Sequence, residues 1–264
     1  MFDPRPLVDI ATTIGQEAGA LVQRMRASAV VSFDTKSTST DVVTEADRAS
    51  EQLVRARLSE LRPGEPVVGE EEGGTVVDGL TWVVDPIDGT VNYLYGIPWY
   101  SVSIAAQLDG ESVAAAVVEP ATGRVWTAAR GHGAFLDGVP LKVSATTDLS
   151  LSLLGYGFAY RAERRQRQAD AWTAMATRVR DMRRTGAASL DLCSVAAGRL
   201  DAYAEHGLGR WDWAAGALVA AEAGAVVRLP GSSPELGEDA TFAAAPGIAD
   251  ALYDALVESG FGKV

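Results

Sequence analysis

Residues 82–93 contain the most informative stretch of the chain, which reads Trp82-Val83-Val84-Asp85-Pro86-Ile87-Asp88-Gly89-Thr90-Val91-Asn92-Tyr93. The apolar residues up to Val84 predict the end of a buried strand, and Pro86 is expected to stop that strand and set a turn. Gly89 lets the backbone approach a ligand closely, and Thr90 is expected to cap a following helix. This loop therefore predicts two carboxylates beside a helix N-terminus, where a hard cation and a phosphate can bind side by side.

The size of the chain limits its domain organisation. Its 264 residues permit one large domain or two small, tightly joined ones, and a hydrophobic fraction of 47% indicates a well-filled core. We expect a single domain over residues 1–264. A soft division near Asp148 separates an α+β half, residues 1–148, from a half in which strands and helices alternate, residues 149–264.

Composition also bears on the compartment and on the partners. Cys193 is the only cysteine, so an intramolecular disulfide is impossible and a cytoplasmic location is expected. The N-terminus lacks the pattern of a secretory signal, and no apolar run approaches the length of a membrane span. The net charge of −12 argues against direct nucleic-acid binding. Acidic proteins are often simply soluble, but an anionic phosphate ligand would here need a divalent cation to reverse the local charge.

Hydrophobic periodicity predicts the order of the elements. The spacing of apolar residues predicts amphipathic helices over 7–25 and, after a cap at Thr44, up to about residue 61. Alternating segments separated by glycine turns predict an antiparallel meander over 100–108, 112–118 and 125–130. The remaining predictions are strands over 67–68, 151–155 and 200–204 and helices over 164–179, 187–198, 213–223 and 248–259.

Further acidic residues follow predicted strands or begin predicted helices, and they are Asp47, Glu70, Glu205 and Asp212. Each of them taken alone could be an ordinary surface carboxylate. Asp212, however, lies between two tryptophans, where a carboxylate is unfavourable unless it is paired or binds a metal.

Several other kinds of site are poorly supported. The two histidines have no partners at zinc-ligand spacing; we interpret His132 as a turn residue and His206 as a loop residue that could also touch substrate. Cys193 lies on a predicted helix and is expected to pack in the core, which argues against thiol catalysis. The basic segment from Arg161 to Arg184 is interpreted mainly as a solvated helix face, although one or two of its arginines could screen an anionic substrate or contact an acidic partner.

Four motifs together resemble those of the inositol monophosphatase family. They are VTEAD at 43–47, VGEE at 68–71, DPIDGTVNY at 85–93 and WDWAAG at 211–216, and the resemblance extends over residues 36–224. It implies a layered αβαβα fold of the α+β class, shared with fructose-1,6-bisphosphatases. It further implies Mg²⁺-dependent hydrolysis of phosphate monoesters, common inhibition by lithium, and subunits that usually pair as homodimers.

The resemblance also assigns a set of metal ligands. Glu70, Asp85 and the backbone carbonyl of Ile87 correspond to ligands of a first Mg²⁺. Asp85, Asp88 and Asp212 correspond to ligands of a second Mg²⁺, so that Asp85 bridges the two. Glu70 also corresponds to a residue that helps to hold a third, weaker ion. Oxygen ligands of this kind suit Mg²⁺.

The remaining site residues are carried over in the same way. Thr90, with Glu70 and Asp47, resembles the group that positions the attacking water. Gly89 and Thr90 would bind phosphate through backbone N–H groups, next to Asp88. The substrate's hydroxyls would be contacted by Ala188, Glu205 and Asp212. Lys36 matches a position in the family's active-site loop, without a firm role.

The leading hypothesis is therefore a Mg²⁺-dependent phosphatase that releases phosphate and myo-inositol from myo-inositol monophosphate, a small-molecule phosphate ester. The small Ala187 beside the expected site favours small polyol phosphates over substrates that need a second phosphate pocket. One alternative keeps the chemistry and changes the substrate to histidinol phosphate or fructose 1,6-bisphosphate. Another is a regulatory interaction protein that retains the phosphatase fold and acts on the transcription machinery.

Overall fold

The computed structural model describes residues 2–27, 33–35 and 42–264. Residues 36–41, which include Lys36, lie outside the described residues. Within the described ranges the helices are α1 (Arg5–Ala27), α2 (Glu45–Leu61), α3 (Thr90–Tyr95), α4 (Ala162–Met175), α5 (Ala188–Ala196), α6 (Arg210–Glu222) and α7 (Ala249–Glu258). No helix in these ranges has both the length and the apolar character needed to cross a membrane.

The strands of the described ranges form three sheets. They are β1 (Phe33–Thr35), β2 (Val42–Thr44), β3 (Val67–Gly69), β4 (Leu80–Asp88), β5 (Ser101–Leu108), β6 (Glu111–Val118), β7 (Val125–Ala129), β8 (Ala134–Leu136), β9 (Val139–Pro140), β10 (Leu153–Tyr156), β11 (Asp181–Arg183), β12 (Ala202–His206), β13 (Val226–Arg228) and β14 (Ala240–Ala244).

The largest sheet contains the predicted meander. Its strand order is β3-β4-β5-β6-β7-β8-β9, and only the pair β3 and β4 is parallel. The hairpin turns include Asp109 and Asp137, which both adopt positive φ ahead of a glycine. Helices α1 and α2 cover one face of this sheet, and α1 buries a stripe at helical spacing that includes Leu7, Ile14 and Val22.

The second sheet has the order β11-β10-β12-β14-β13, in which β10 pairs in parallel with both β11 and β12. Helices α5 and α6 lie between the two large sheets, because one hydrophobic cluster joins Val117 of β6, Leu192 of α5, Leu218 of α6 and Tyr203 of β12. Helices α4 and α7 cover the outer face of the second sheet. The fold is therefore the layered αβαβα arrangement of the α+β class, as predicted.

Three local predictions were wrong. Pro86 does not end its strand, because β4 continues to Asp88 through a register shift against β5. Thr90 does not cap α3, because Gly89 occupies the cap position and the Thr90 hydroxyl bonds elsewhere. Helix α6 begins at Arg210 instead of residue 213, which places Asp212 within its first turn. The other predicted elements are found with shifted ends.

Candidate active site

A cleft of about 730 Å³ opens where the carboxyl end of β4 meets the beginnings of α3, α5 and α6. The carboxyl end of β12 and the segment ahead of α4 complete its walls. The predicted site residues that line it are Glu70, Asp85, Ile87, Asp88, Gly89, Thr90, Ala188, Glu205 and Asp212. Residues that are far apart along the chain thus share one concave surface.

Three carboxylates form a compact group in this cleft. Asp85, Asp88 and Asp212 each offer an oxygen, and these oxygens all lie within 4.8 Å of one another. Asp85 is 1% exposed and Asp88 is 5% exposed. Among the described residues, Glu70 lines the same cleft without joining this group of three. Such close packing of buried carboxylates is unfavourable unless a cation or protons balance their charge.

A bulge in β4 brings Asp85 and Asp88 together. In a regular strand, residues three apart point to opposite faces of the sheet. Here Asp85 pairs with Ser103 while Asp88 pairs with Ser101, so three steps along β4 match two steps along β5. The extra residue reverses the alternation, which lets both carboxylates point into the same cleft.

The electrostatics of the group follow from burial and mutual repulsion. Burial raises the pKa of Asp85 well above its ordinary value, and the nearby charges of Glu70, Asp88 and Asp212 raise it further. Burial also raises the pKa of Asp212, again with help from Glu70 and Asp88. Burial raises the pKa of Asp88 to about 6, although hydrogen bonds from Ser189 act in the opposite direction. These groups hold protons more tightly than free carboxylates do, and a bound cation would compete for the same oxygens.

Backbone N–H groups and the Ser189 hydroxyl fix the orientation of the carboxylates. Asp88 accepts from the first turn of α5, through the Ala188 N–H at 3.1 Å, the Ser189 N–H at 2.7 Å and the Ser189 hydroxyl at 2.5 Å. Asp85 accepts from the Ile87 N–H at 3.0 Å. Asp212 accepts from the Gly209 N–H at 2.5 Å, at the N-terminus of α6.

Thr90 is linked to Asp47 beside the three carboxylates. The Thr90 hydroxyl lies 3.0 Å from an Asp47 carboxylate oxygen and 2.9 Å from the Ile87 carbonyl, and it can donate to one of them at a time. The other Asp47 oxygen accepts from the Thr44 N–H at 2.8 Å and from the Thr44 hydroxyl at 2.5 Å. The Asp47 N–H in turn donates to the Thr44 hydroxyl oxygen at 3.4 Å, which completes the capping box of α2. Asp47 is completely buried, so helix capping and site geometry depend on the same carboxylate.

Glu205 stands at the opposite wall of the cleft, on β12. Burial raises the pKa of Glu205 to about 7, while a hydrogen bond from the Tyr203 hydroxyl and the charge of Arg184 act in the opposite direction. The Tyr203 hydroxyl lies 2.5 Å from the Glu205 carboxylate. His206, the next residue, is buried in the strand and its Nε2 lies 2.6 Å from the Leu236 carbonyl, so the loop interpretation of His206 was wrong.

The structure also tests the predictions for Cys193, His132 and the basic segment. Cys193 is buried in the central hydrophobic cluster, as predicted. His132 is exposed in a turn, also as predicted. Within the basic segment, Arg164 donates two hydrogen bonds to the Asp239 carboxylate in a bidentate pair, at 2.6 and 2.7 Å. Arg161 and Arg184 line the cleft.

Two contributions to the site could not be read from the sequence. Ser189 binds Asp88 from α5, and Glu51 of α2 accepts hydrogen bonds from the backbone beside Glu70. Neither residue belongs to a motif with a recognised spacing. A glutamate at a helical position between Ser50 and Gln52 is typical of a solvent-exposed face, and only tertiary packing buries it.

The chain is similar to several known proteins. The model of the "Inositol monophosphatase family" matches residues 3–260. A protein of Mycobacterium leprae named inositol-1-monophosphatase is 52% identical, over 96% of this chain and 94% of its own. The solved structure of Mycobacterium tuberculosis SuhB is 46% identical with a TM-score of 0.84, over 98% of both chains. A Pseudomonas aeruginosa protein named Nus factor SuhB is 41% identical over 84% of this chain and 85% of its own.

The family match covers nearly the whole chain, and the solved relative shares its fold at high identity. The chain belongs to the inositol monophosphatase family.

Proposed function

We propose that the protein hydrolyses myo-inositol monophosphate to myo-inositol and phosphate with the help of Mg²⁺. As a member of its family, the chain is a phosphoric monoester hydrolase of the inositol monophosphatase type. The single observation that carries the proposal is the group formed by Asp85, Asp88 and Asp212, whose oxygens lie within 4.8 Å of one another in a cleft that Glu70 also lines.

The donor chemistry of this group fits Mg²⁺. Its ligand atoms are carboxylate oxygens, which hard cations prefer, and repulsion between them supplies a reason to bind a positive charge. We assign Glu70, Asp85 and the Ile87 carbonyl to a first ion, and Asp85, Asp88 and Asp212 to a second. The Ile87 carbonyl oxygen has two lone pairs, so it can bind a cation whether the Thr90 hydroxyl donates to it or to Asp47. Glu70 would also help to hold a third, weaker ion.

Bound Mg²⁺ supplies neutralisation of charge on the phosphoryl group and makes a nearby water more acidic. The protein's own residues orient the reactants. We propose that Thr90, which bonds to Asp47 at 3.0 Å, accepts a hydrogen bond from the attacking water together with Glu70. Gly89 and Thr90 offer backbone N–H groups to the phosphate, and Asp88 lies beside them in the cleft. Phosphoryl transfer needs such positioning more than covalent help.

The alcohol part of the substrate would lie toward β12. We propose that Glu205, Asp212 and the backbone of Ala188 hydrogen-bond the hydroxyls of inositol. Each of these residues lines the cleft, and the oxygen-rich wall suits a polyol. Ala187 itself is buried, at 1% exposure, and lies next to Gly89, since an added Cβ at Gly89 would be 3.2 Å from its methyl group.

A second substrate class has some support from the basic rim of the cleft, which consists of Arg161, Arg164, Arg165 and Arg184. Asp239 neutralises Arg164, which leaves Arg161, Arg165 and Arg184 as the rim cations most able to meet a second anionic group on the substrate. Fructose 1,6-bisphosphate is therefore the main alternative substrate, and histidinol phosphate is the other one.

The proposed function also bears on the protein's assembly, location and partners. We propose a homodimer, which the exposed side chains of Tyr95 (77%) and Ile97 (49%) near the cleft support. We propose a cytoplasmic location, which the single buried Cys193 supports. A role with the transcription machinery remains an alternative, since a relative carries the name Nus factor.

A panel of phosphate esters tests the proposal. Phosphate release is measured on myo-inositol 1-phosphate, histidinol phosphate and fructose 1,6-bisphosphate, with and without Mg²⁺ and lithium. We expect Mg²⁺-dependent hydrolysis with the highest kcat/KM on the inositol ester, and loss of that activity in Asp88→Asn. Full activity of Asp88→Asn, or equal turnover without Mg²⁺, would contradict it. Retention of a transcription protein in a pull-down only while the arginines from Arg161 to Arg184 are intact would support the regulatory alternative.

A further inference from the structure

Glu51 is a buried charge that the proposed reaction does not use. It lies on α2 and is completely inaccessible to solvent. A buried carboxylate is unfavourable unless hydrogen bonds or an opposite charge compensate for the lost hydration. The partners of Glu51 therefore indicate why the fold keeps it.

Within the described part of the chain, the hydrogen-bond partners of Glu51 are Arg55 and the loop after β3. One carboxylate oxygen accepts from the Glu71 N–H at 2.7 Å, and the other accepts from the Glu72 N–H at 3.0 Å and from Arg55 Nε at 2.9 Å. Hydrogen bonds to an ionised acceptor are stronger than neutral ones. The two backbone donors follow directly after Glu70, so Glu51 holds the backbone on the C-terminal side of that residue.

Arg55 ties the two ends of the same loop. Its guanidinium donates to the Val67 carbonyl at 3.2 Å on one side and to the Gly73 carbonyl at 2.6 Å on the other. Across the loop, the Gly69 N–H donates to the Gly73 carbonyl at 3.0 Å. Glu51 and Arg55 are also an ion pair at 2.8 Å, one helical turn apart. Hydrogen bonds to Arg55 therefore attach both ends of the loop to α2, and hydrogen bonds to Glu51 attach its middle.

Gly69 leaves room for the Glu51 carboxylate. A Cβ at this position would overlap the Glu51 carboxylate, so any other residue there would push the carboxylate away from the loop. The glycine in front of Glu70 is thus required by the buried glutamate beneath it. This gives the VGEE motif a physical reason that is separate from the ligand itself.

We propose that Glu51 and Arg55 are positioning residues that hold Glu70 in the geometry required to bind a cation. This inference rests on the proposed function, since it takes Glu70 as a metal ligand. Outer partners of metal ligands reduce the freedom of those ligands before the ion arrives, and their loss lowers metal affinity. Without the hydrogen bonds to Glu51 and Arg55, the glycine-containing loop samples more conformations. Binding of the ion must then also offset the entropy lost when the loop becomes ordered.

The test compares Glu51→Gln and Arg55→Lys with the wild type. Glutamine keeps the shape of the side chain but turns an N–H₂ group toward one of its former donors, and lysine keeps the charge of Arg55 without its fork of donors. We expect the Mg²⁺ concentration at half-maximal activity to rise about 10- to 100-fold in each variant. We also expect weaker binding of Mg²⁺ alone by calorimetry, and recovery of kcat at saturating Mg²⁺.

Glu119→Gln is the matched control. Glu119 is also buried, and it accepts hydrogen bonds from Trp126 Nε1 and the Thr122 hydroxyl, both at 2.7 Å, outside the cleft. We expect this variant to lower the melting temperature and leave the Mg²⁺ dependence unchanged. A purely structural role for Glu51 would give the same result as Glu119→Gln.

The outcomes separate the two proposals. Absence of Mg²⁺ binding and of ester hydrolysis in the wild type would contradict the proposed function. A wild type that needs Mg²⁺, together with an Arg55→Lys variant whose Mg²⁺ midpoint and binding constant equal those of the wild type, would overturn the positioning role alone. Arg55 is partly exposed, so its lysine variant decides the question if Glu51→Gln fails to fold.

Discussion

Asp212 shows how a binding residue can weaken the protein that carries it. Burial and the charges of Glu70 and Asp88 raise the pKa of Asp212 in the metal-free protein. A carboxyl group with a raised folded-state pKa stabilises the fold at low pH, and it loses that contribution as the pH rises through the folded value. Above its ordinary pKa, Asp212 therefore lowers the stability of the metal-free protein, through proton uptake or through repulsion, and a neutral side chain would remove that penalty.

We expect Asp212→Asn to raise the melting temperature in EDTA at neutral pH and to abolish most of the further rise that Mg²⁺ produces. Turnover should fall at least about 100-fold, because even outer partners of metal ligands change activity by 10- to 100-fold. Thermal melting with and without Mg²⁺, alongside phosphate release, measures both effects. A variant that is less stable without metal yet fully active would show that Asp212 serves the fold and not the cation.

Glu205 makes a separate prediction about pH. Burial raises the pKa of Glu205 from 4.5 to about 7. The protonated group therefore contributes fully to the stability of the folded state when the pH is below the ordinary pKa of 4.5. That contribution is lost as the pH rises through about 7. We expect Glu205→Gln to flatten the decline in melting temperature over this range in EDTA. Parallel pH curves for the variant and the wild type would contradict the raised pKa.

At the scale of elements, the bulge in β4 is a feature that the sequence did not predict, although the sequence did predict the carboxylates that the bulge carries. The motif from Asp85 to Thr90 was sufficient to predict carboxylates at a strand end. Period-two alternation gives no reason to place Asp85 and Asp88 on the same face, and Pro86 pointed to a strand end instead of a bulge. Only the pairing with β5 shows how the backbone absorbs the extra residue.

Other elements were missed for related reasons. Strand β14 has the sequence ATFAA, in which every residue is buried, so it lacks the polar alternation that identifies a half-exposed strand. Strands β11 and β13 have three residues each, too few for a periodic signal. Glu51 lies at an ordinary helical position, and its role depends on a loop that follows about twenty residues later.

The contact between α5 and α6 can be tested with one methyl group. A Cβ at Gly216 would lie 2.8 Å from the Ser189 carbonyl oxygen and 2.9 Å from Leu192 Cβ. Helix propensity alone favours alanine over glycine by about 1 kcal/mol. Because neither contacting atom can rotate away, we expect Gly216→Ala to lower the free energy of unfolding by about 1–3 kcal/mol. Urea denaturation measures it, and an increase in stability would show that the two helices separate freely.

At the scale of the whole molecule, the central helical layer joins the two large sheets. One hydrophobic cluster contains residues of both sheets and of both central helices, including Val117 and Tyr203. The first large sheet ends at Pro140 and the second begins at Leu153, on either side of the predicted soft division near Asp148. We propose that residues 1–264 nevertheless form a single domain, because neither sheet can bury its inner face without the shared layer.

We expect this arrangement to give one cooperative unfolding transition. Differential scanning calorimetry and circular dichroism should report the same midpoint in EDTA, because the shared core links both halves. The comparison should be made at one protein concentration, since a dimer makes the midpoint concentration-dependent. Two separated transitions would contradict the single-domain proposal and support independent halves on either side of Asp148.

The most direct test of the whole account is the location of bound metal. We expect crystals grown with Mn²⁺ in place of Mg²⁺ to show anomalous density among the carboxylates of Asp85, Asp88 and Asp212, and a second peak beside Glu70 and the Ile87 carbonyl. Both peaks should weaken when excess Mg²⁺ is added, since the two ions prefer similar oxygen ligands. An empty cleft in crystals that contain Mn²⁺, with the enzyme still active, would contradict the proposal that these carboxylates hold the catalytic cations.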